Sequence, residues 1–211
     1  MSSSSTDPTP QRPRPGGRTA RVRAQVLDAV QLELTENGYD ALTVDAVAAR
    51  AGVHRTTVYR RWHDVGGLIA DVFAAARDLN WNPSNTGSLR GDLAELNREI
   101  RDSFTDDSSI AMALVAVSFR SPEATRALQP LLEDRYKQCE IVVHRAIERG
   151  EIPTGTDAHA LLIAATAPVY HRVVLLRSAP DPGISEQAAG AAVLAAQAGA
   201  FRDTAQPSTF G

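Results

Sequence analysis

The stretch TVDAVAARAGVHRTTVYRRWHDVGGL, Thr43–Leu68, decides the fold of the N-terminal third of this 211-residue chain. Its first half repeats apolar residues at the spacing of one helix face: Val44, Val47, Ala48 and Ala51. Gly52 ends this helix, because glycine adopts a backbone conformation that other residues resist. A second short helix follows over 55–63, where Val58 and Trp62 are four residues apart and therefore point the same way. Two short helices joined by a tight turn predict a helix-turn-helix.

The outward side of the second helix carries arginines, hydroxyls and an aromatic residue. The N-terminal end of a recognition helix reaches base edges in the major groove, so we assign Arg55 to guanine and Thr56 to a thymine methyl. Tyr59 and Arg61 fit phosphates at the groove walls, and Thr43 offers another phosphate a hydroxyl and a helix N-terminus. We therefore predict a DNA-binding surface made of Thr43, His54, Arg55, Thr56, Thr57, Tyr59, Arg60 and Arg61.

The charge is distributed unevenly along the chain. The net charge is −3, but residues 12–63 hold nine arginines against five acidic residues, whereas residues 66–211 hold 13 basic and 18 acidic residues. A basic head on an acidic body fits a polyanion bound at one end, although a chance imbalance in a small count would look the same. Arg12, Arg14 and Arg18 lie in or at the end of a Ser/Pro/Gly-rich tail. That tail is either an arm that touches DNA or a solvated extension.

Residues 43–62 resemble the DNA-binding segment of the TetR family of regulators. The shared pattern is T-V-x-x-V-A-x-x-A-G-V-x-x-x-T-V-Y-R-x-W, carried here by Thr43, Val44, Val47, Ala48, Ala51, Gly52, Val53, Thr57, Val58, Tyr59, Arg60 and Trp62. The resemblance implies an all-helical homodimer with a small DNA-binding head and a larger body that binds a ligand and dimerises. It also implies that Thr57 and Tyr59 contact phosphates.

Two positions depart from the pattern of the family. Val65, followed by Gly66-Gly67, stands where the family often has a lysine at the start of the fourth helix. We therefore expect one phosphate contact fewer and a loose helix start. His54 stands where a serine is common, so we expect a poorer N-cap, and a side chain that could instead donate to a phosphate or a base.

Helical periodicity continues towards the C-terminus, and no stretch alternates with the period of two that a strand would show. We predict an all-α protein of about nine helices in three segments: a disordered tail over 1–17, a helix-turn-helix domain over 18–65, and a ligand-binding and dimerisation domain over 66–211. The apolar segment 110–119 is expected to lie centrally. Helices over 157–177, which Pro168 should kink, and over 184–201 are predicted to form the homodimer seam. The alanine-rich second helix allows close approach, and a surface or core helix is the alternative.

Large side chains in the body are candidates for lining a ligand cavity. They are Trp81, Met112, Phe119, Tyr136 and Tyr170, although each also fits an ordinary core position. The single cysteine, Cys139, lies on an apolar helix stripe, so we expect a packed thiol rather than a redox sensor. His144, His159 and His171 show no i, i+4 spacing and no accompanying carboxylate cluster, so we predict no metal site.

Other classes of function lack a sequence signal. No glycine-rich phosphate loop, nucleophile elbow or metal-ligand spacing is evident, so we expect neither an enzyme nor a cofactor. The N-terminus has no apolar signal core, and we find no apolar run long enough for a bilayer. Both features predict a cytoplasmic protein with no membrane partner. The favoured hypothesis is a repressor that a small-molecule effector releases from a palindromic double-stranded DNA operator. An activator, a ligand-independent regulator, and a ligand-binding or protein-interaction module with a vestigial head are the alternatives.

Overall fold

The computed structural model describes residues 16–77, 81–106, 109–178, 181 and 183–202. Across these residues the chain forms nine α-helices and no β-strand, which confirms the predicted all-α class. The helices are α1 (Gly16–Asn37), α2 (Val44–Ala51), α3 (Arg55–Trp62), α4 (Val65–Arg77), α5 (Leu89–Thr105), α6 (Ala111–Ser118), α7 (Pro122–Glu148), α8 (Ala158–Tyr170) and α9 (Ile184–Gln197). A 3-10 turn at Tyr39–Ala41 follows α1, and a π-helical turn at His171–Leu175 follows α8.

The first of two compact units in the chain ends at Leu68. α2 begins at the N-cap Thr43, whose hydroxyl oxygen accepts a hydrogen bond from the backbone N–H of Ala46 at 3.1 Å. It ends at Gly52, whose φ of +66° lies in the left-handed region that favours glycine. The apolar faces of α1, α2 and α3 supply the buried core of this unit, including Val26, Val30, Val47, Val58 and Trp62. The predicted helix-turn-helix is therefore present.

The N-terminal boundary of α1 differs from the prediction. α1 begins at Gly16, within the segment 1–17 that the sequence assigns to a disordered tail. Arg18 is consequently an exposed residue of the first helix. Arg12 and Arg14 lie outside the described residues.

The second unit begins at Ile69. Its core is formed by α5, α7, α8 and α9, whose fully buried residues include Leu89, Leu93, Val142, Val143, Leu161, Leu162, Ala165 and Ala189. A buried polar residue joins three of these helices. Asn97 on α5 donates from Nδ2 to the carbonyl of Ala165 on α8 at 3.0 Å and to that of Ser185 on α9 at 3.2 Å. These two hydrogen bonds fix one relative placement of the three helices, while the buried Oδ1 of the same amide has no partner among the described residues.

α6 does not lie centrally, as its apolar sequence predicted. Along this helix only Leu114 and Val117 are buried, and Phe119, which follows its last turn, is 74% exposed. The prediction failed because the helix is apolar all round. A helix without a polar face carries no periodic signal that says which side, if any, is covered.

The winding of the helical segment predicted over 157–177 changes after Pro168. α8 ends at Tyr170 and continues as a π-helical turn. Proline supplies no backbone N–H, and such gaps in the hydrogen-bond ladder are a usual cause of altered winding. The 18 residues of Ala158–Leu175 have a mean hydropathy of 1.3, enough by length and composition to cross a membrane, contrary to the expectation from sequence. They pack instead against α5 and α9 as part of the helical body.

Candidate nucleic-acid interface and body cavity

α3 presents the predicted contact residues on the side opposite its buried pair. Val58 is fully buried and Trp62 nearly so. Tyr59 is 46% exposed, a large aromatic surface left in solvent. The guanidinium of Arg61 lies over the Trp62 ring at 5.0 Å from its centroid, which restricts that arginine. The remaining predicted residues of this helix are exposed, except for the half-buried Thr57; they are Arg55, Thr56 and Arg60.

His54 caps α3, contrary to the expectation of a poor cap. Its Nδ1 accepts a hydrogen bond from the backbone N–H of Thr56 at 3.4 Å and lies 2.8 Å from the Thr56 hydroxyl. The ring nitrogen thus replaces the serine oxygen that is common at such a position. Because Nδ1 acts as an acceptor, the proton of the neutral ring is on Nε2. The Thr43 hydroxyl is likewise an acceptor within its own cap, so its O–H can still donate to a phosphate.

The start of α4 is capped rather than loose. The helix begins at Val65, and Asp64 Oδ1 accepts a hydrogen bond from the backbone N–H of Gly67 at 2.8 Å. Gly67 lies so close to Trp62 that an added Cβ would be 2.0 Å from its carbonyl oxygen. Glycine is therefore required here by close backbone packing. The glycine that predicted looseness instead allows the chain to turn tightly from α3 into α4.

A broad concave surface joins the recognition helix to the start of α1. It encloses about 1430 Å³ and is lined by Gly17, Arg18, Thr19, Arg21, Val22, Gln25, Gly52, Val53, His54, Thr57, Arg60 and Arg61. None of these lining residues is acidic, and four are arginines. Sequence reasoning missed Arg21 and Gln25. Their spacing along α1 from Arg18, by three and seven residues, places all three near one face of that helix and could have revealed them. This concavity therefore presents a positively charged lining beside α3.

An ion-pair cluster fixes α2 against α1 behind this surface. Arg50 Nε contacts Glu33 Oε1 at 2.5 Å, and its terminal nitrogen contacts Glu36 Oε2 at 2.6 Å. Asn37 Nδ2 donates to the other oxygen of Glu33 at 2.8 Å. These hydrogen bonds, that from Arg50 foremost, lower the pKa of the buried Glu33 below its usual 4.5. Glu33 is therefore ionised at neutral pH and anchors the helix that precedes α3.

A cavity of about 250 Å³ lies within the second unit. Three of the five predicted ligand-binding residues, Trp81, Tyr136 and Tyr170, line it together. Met112 and Phe119 on and after α6 do not, since α6 leaves the second of these in solvent. The sequence analysis did not assign the other eight lining residues to a cavity: Leu96, Glu99, Ile100, Ser103, Leu132, Arg135, Cys139 and Thr166.

Cys139 is a buried thiol at the wall of this cavity. Desolvation raises its pKa to about 12, so the thiol is protonated at neutral pH, as a packed cysteine would be. Burial likewise raises the pKa of Tyr170, whose ring meets Phe104 edge to face. Tyr136 packs edge to face on His159. Among the described residues no group of three or more His, Cys, Asp or Glu side chains could hold a metal ion.

Comparisons with known proteins agree over both units. A family model described as bacterial regulatory proteins of the tetR family matches residues 27–72, and one described as a tetracyclin repressor-like C-terminal domain matches residues 83–204. An uncharacterized HTH-type transcriptional regulator of Mycobacterium tuberculosis is 38% identical over 158 residues, 74% of each chain. The DNA-binding transcriptional repressor TetR of Mycobacteroides abscessus is 30% identical over 159 residues, 73% of this chain and 83% of that one. The crystal structure of the TetR family regulator SCO0332 matches with a TM-score of 0.63 and 26% identity, over 82% of this chain and 97% of that one.

Proposed function

This chain belongs to the TetR family of DNA-binding transcriptional regulators, and we propose that it is a cytoplasmic repressor that a small-molecule effector releases from a near-palindromic operator. The observation that carries the proposal is the basic concavity between α1 and α3. It combines an exposed recognition helix with four arginines and no lining carboxylate. The repressor of M. abscessus that this chain resembles supports the sign of regulation.

The side chains of the head divide into two roles. Arg55 and Thr56, exposed at the N-terminal end of α3, read base edges, the arginine through two hydrogen bonds to guanine. The other contact residues of the head hold phosphates and set the register without reading sequence. They are Thr43, His54 through Nε2, Thr57, Tyr59, Arg60, Arg61 and, from α1, Arg18 and Arg21.

The homodimer forms through α8, its π-helical extension and α9. Apolar side chains remain exposed on this part of the body: Ile163, Leu175, Leu176 and Leu194, the last 69% exposed. Exposed leucines and isoleucine on neighbouring helices are typical of an interaction surface. The same surface explains why Ala158–Leu175 is apolar enough for a membrane yet only 33% buried. A two-fold dimer would place two copies of α3 about one DNA turn apart, roughly 34–36 Å.

The effector site is the cavity behind Trp81, Tyr136 and Tyr170. Its aromatic walls and few polar groups are typical of small-molecule sites. An effector releases DNA if it binds more tightly to the conformation with the wrong spacing of the two heads. The extent to which the effector shifts the conformational equilibrium is set by the difference between its affinities for the two conformations.

The test is selection of bound sequences from random duplex DNA by the purified full-length protein, followed by Arg55→Ala. We expect a near-palindromic consensus. The Arg55→Ala variant should bind the consensus duplex with a free energy about 1–3 kcal/mol less favourable than wild type. It should also become less selective at one base of each half-site. Arg126→Ala is the matched control, because this arginine lies on the surface of α7 in a pair with Glu123. Recovery of no sequence at low salt would refute DNA recognition, and an Arg55→Ala variant with unchanged preference would refute the role of Arg55.

A further inference from the structure

The cavity of the second unit contains a cation, Arg135, that is paired with no carboxylate of the described residues. The guanidinium of Arg135 lies over the Trp81 ring, 5.1 Å from its centroid. Its hydrogen bonds go to the Gln138 side chain and the Ala76 carbonyl, both neutral and both long at 3.4 Å. Throughout the described part of the chain no acidic side chain lies within ion-pair distance of it. Arg135 therefore has hydrogen-bond donors and charge to offer to a ligand.

Glu99 is the acidic residue among the described residues of the cavity wall, and it already accepts a hydrogen bond. Glu99 Oε2 accepts a hydrogen bond from the Trp81 indole N–H at 3.0 Å. The indole thus holds the carboxylate on its edge while its face carries the guanidinium. The positive charge also acts deeper in the cavity, where Arg135 lowers the pKa of Cys139 and of Tyr170 against the opposing effect of burial. The part of the wall around Arg135 therefore favours an anionic group, whereas the Glu99 carboxylate lies at the edge of the indole.

A hydroxyl in the same cavity lacks a hydrogen-bond partner among the described residues. Tyr136 and Thr166 satisfy each other, with 3.2 Å between their oxygens, and the threonine hydroxyl donates onward to the Leu162 carbonyl. The Tyr170 hydroxyl makes no hydrogen bond to any residue that the structure describes. The Tyr170 side chain is half-buried, so its hydroxyl keeps a hydrogen-bond donor to offer to a ligand. It supplies a second donor to an acidic group bound by the arginine.

The size and walls of the cavity limit the rest of the ligand. An apolar cavity of about 150 Å³ holds benzene, and this one has about 250 Å³. One ring or two fused rings therefore fit. Rings of Trp81, Tyr136 and Tyr170 form much of the wall, and they favour a flat aromatic body.

We propose that the cavity binds an aromatic weak acid of one or two fused rings, whose anionic group is held by the Arg135 guanidinium and the Tyr170 hydroxyl. This inference rests on the proposed function, because it takes the cavity as the effector site.

The experiment is isothermal titration calorimetry on the full-length protein without DNA, with three probes of nearly equal shape. The probes are 1-naphthoate (an anion), 1-naphthylmethanol (neutral) and 1-naphthylmethylamine (a cation). Because a hydrogen bond to a charged group exceeds one to a neutral group, we expect naphthoate to bind about tenfold or more tightly than the alcohol, and the amine to bind weakest. Arg135→Gln should abolish this preference, and Tyr170→Phe should reduce it. Arg126→Gln, a surface arginine of the same helix, should leave it unchanged.

Each outcome has a definite meaning. Tighter binding of the alcohol or the amine than of naphthoate would overturn the proposal, and so would a preference for naphthoate that survives Arg135→Gln. Failure of all three probes to bind at millimolar concentration would overturn it as well. Loss of fold is detected separately by the melting temperature of each variant. DNA binding by the unliganded protein is measured in a separate assay, so failure of the ligand class is distinguishable from failure of the proposed repressor function.

Discussion

Replacement of Arg21 by alanine tests whether α1 contributes to the DNA-binding surface. Arg21 is exposed, and it lines the same concavity as Arg18, Arg60 and Arg61. Removing one arginine–phosphate interaction lowers the slope of log K against log salt by about 0.9. A dimer presents this arginine twice, so the slope should become about 1.8 less steep. If wild type and variant bind DNA equally at about 1 M salt, this change in slope corresponds to about sixtyfold weaker DNA binding by the variant at about 0.1 M.

Fluorescence anisotropy with a labelled duplex, over a series of KCl concentrations, measures this slope directly. The reduction in affinity should be the same for the selected operator and for a scrambled duplex, since phosphates carry no sequence information. Arg126→Ala should retain the wild-type slope. A wild-type slope for Arg21→Ala, or a reduction confined to the operator, would refute the reasoning that places α1 on the phosphates.

Three further changes test the head and the dimer. Gly67→Ala should destabilise the protein by about 1–3 kcal/mol, because its Cβ would meet the Trp62 carbonyl oxygen and backbone must move; calorimetric melting measures this. Arg50 lowers the pKa of Glu33 in the folded protein. The contribution of this pair to the free energy of unfolding should therefore be complete above pH 4.5 and be lost as the pH falls through the folded-state pKa. Urea unfolding at several pH values measures this contribution. Leu194→Glu should convert the dimer to a monomer in sedimentation velocity, because it places a charge in the proposed apolar seam.

Matched controls separate these effects from general damage. Gly17→Ala meets no atom within 4 Å and should leave the melting temperature nearly unchanged. The difference in stability between wild type and Glu33→Gln should shrink towards low pH, and a constant difference would contradict the ion-pair argument. Phe119→Ser changes a residue still more exposed than Leu194, yet outside the seam, and should leave the dimer intact. A Leu194→Glu protein that sediments as a dimer would exclude α9 from the interface.

The helix-turn-helix could be predicted because each of its signals is local. The Thr43 cap, the left-handed Gly52 and the buried pair Val58 and Trp62 all act within a few residues of each other. The cap by His54 escaped prediction since an imidazole nitrogen replaces a hydroxyl only in one tautomer. The tight turn at Gly67 escaped because sequence does not distinguish a glycine needed for close packing from one that loosens a helix.

Neither the basic concavity of the first unit nor the cavity of the second could be predicted from helical periodicity. Arg21 lies beside residues of α3 in the concavity only because α1 and α3 both pack against α2, a tertiary relation. In the second unit, the prediction of cavity residues succeeded for an aromatic residue on an amphipathic helix, as with Tyr136 on α7. The same reasoning failed for Met112 and Phe119, since an apolar helix such as α6 gives no indication of which side faces the interior.

Arg135 joins the cavity to the part of α4 that belongs to the second unit. Its second hydrogen bond goes to the Ala76 carbonyl, in the last turn of α4. α4 spans the boundary between the two units: Val65–Leu68 belong to the first unit, and the rest of the helix belongs to the second. An anion held by Arg135 would compete with that carbonyl for the guanidinium donors. A ligand shifts a conformational equilibrium only through interactions that differ between the two states. An anion that displaced the long Arg135–Ala76 hydrogen bond would remove one such interaction between α7 and the last turn of α4.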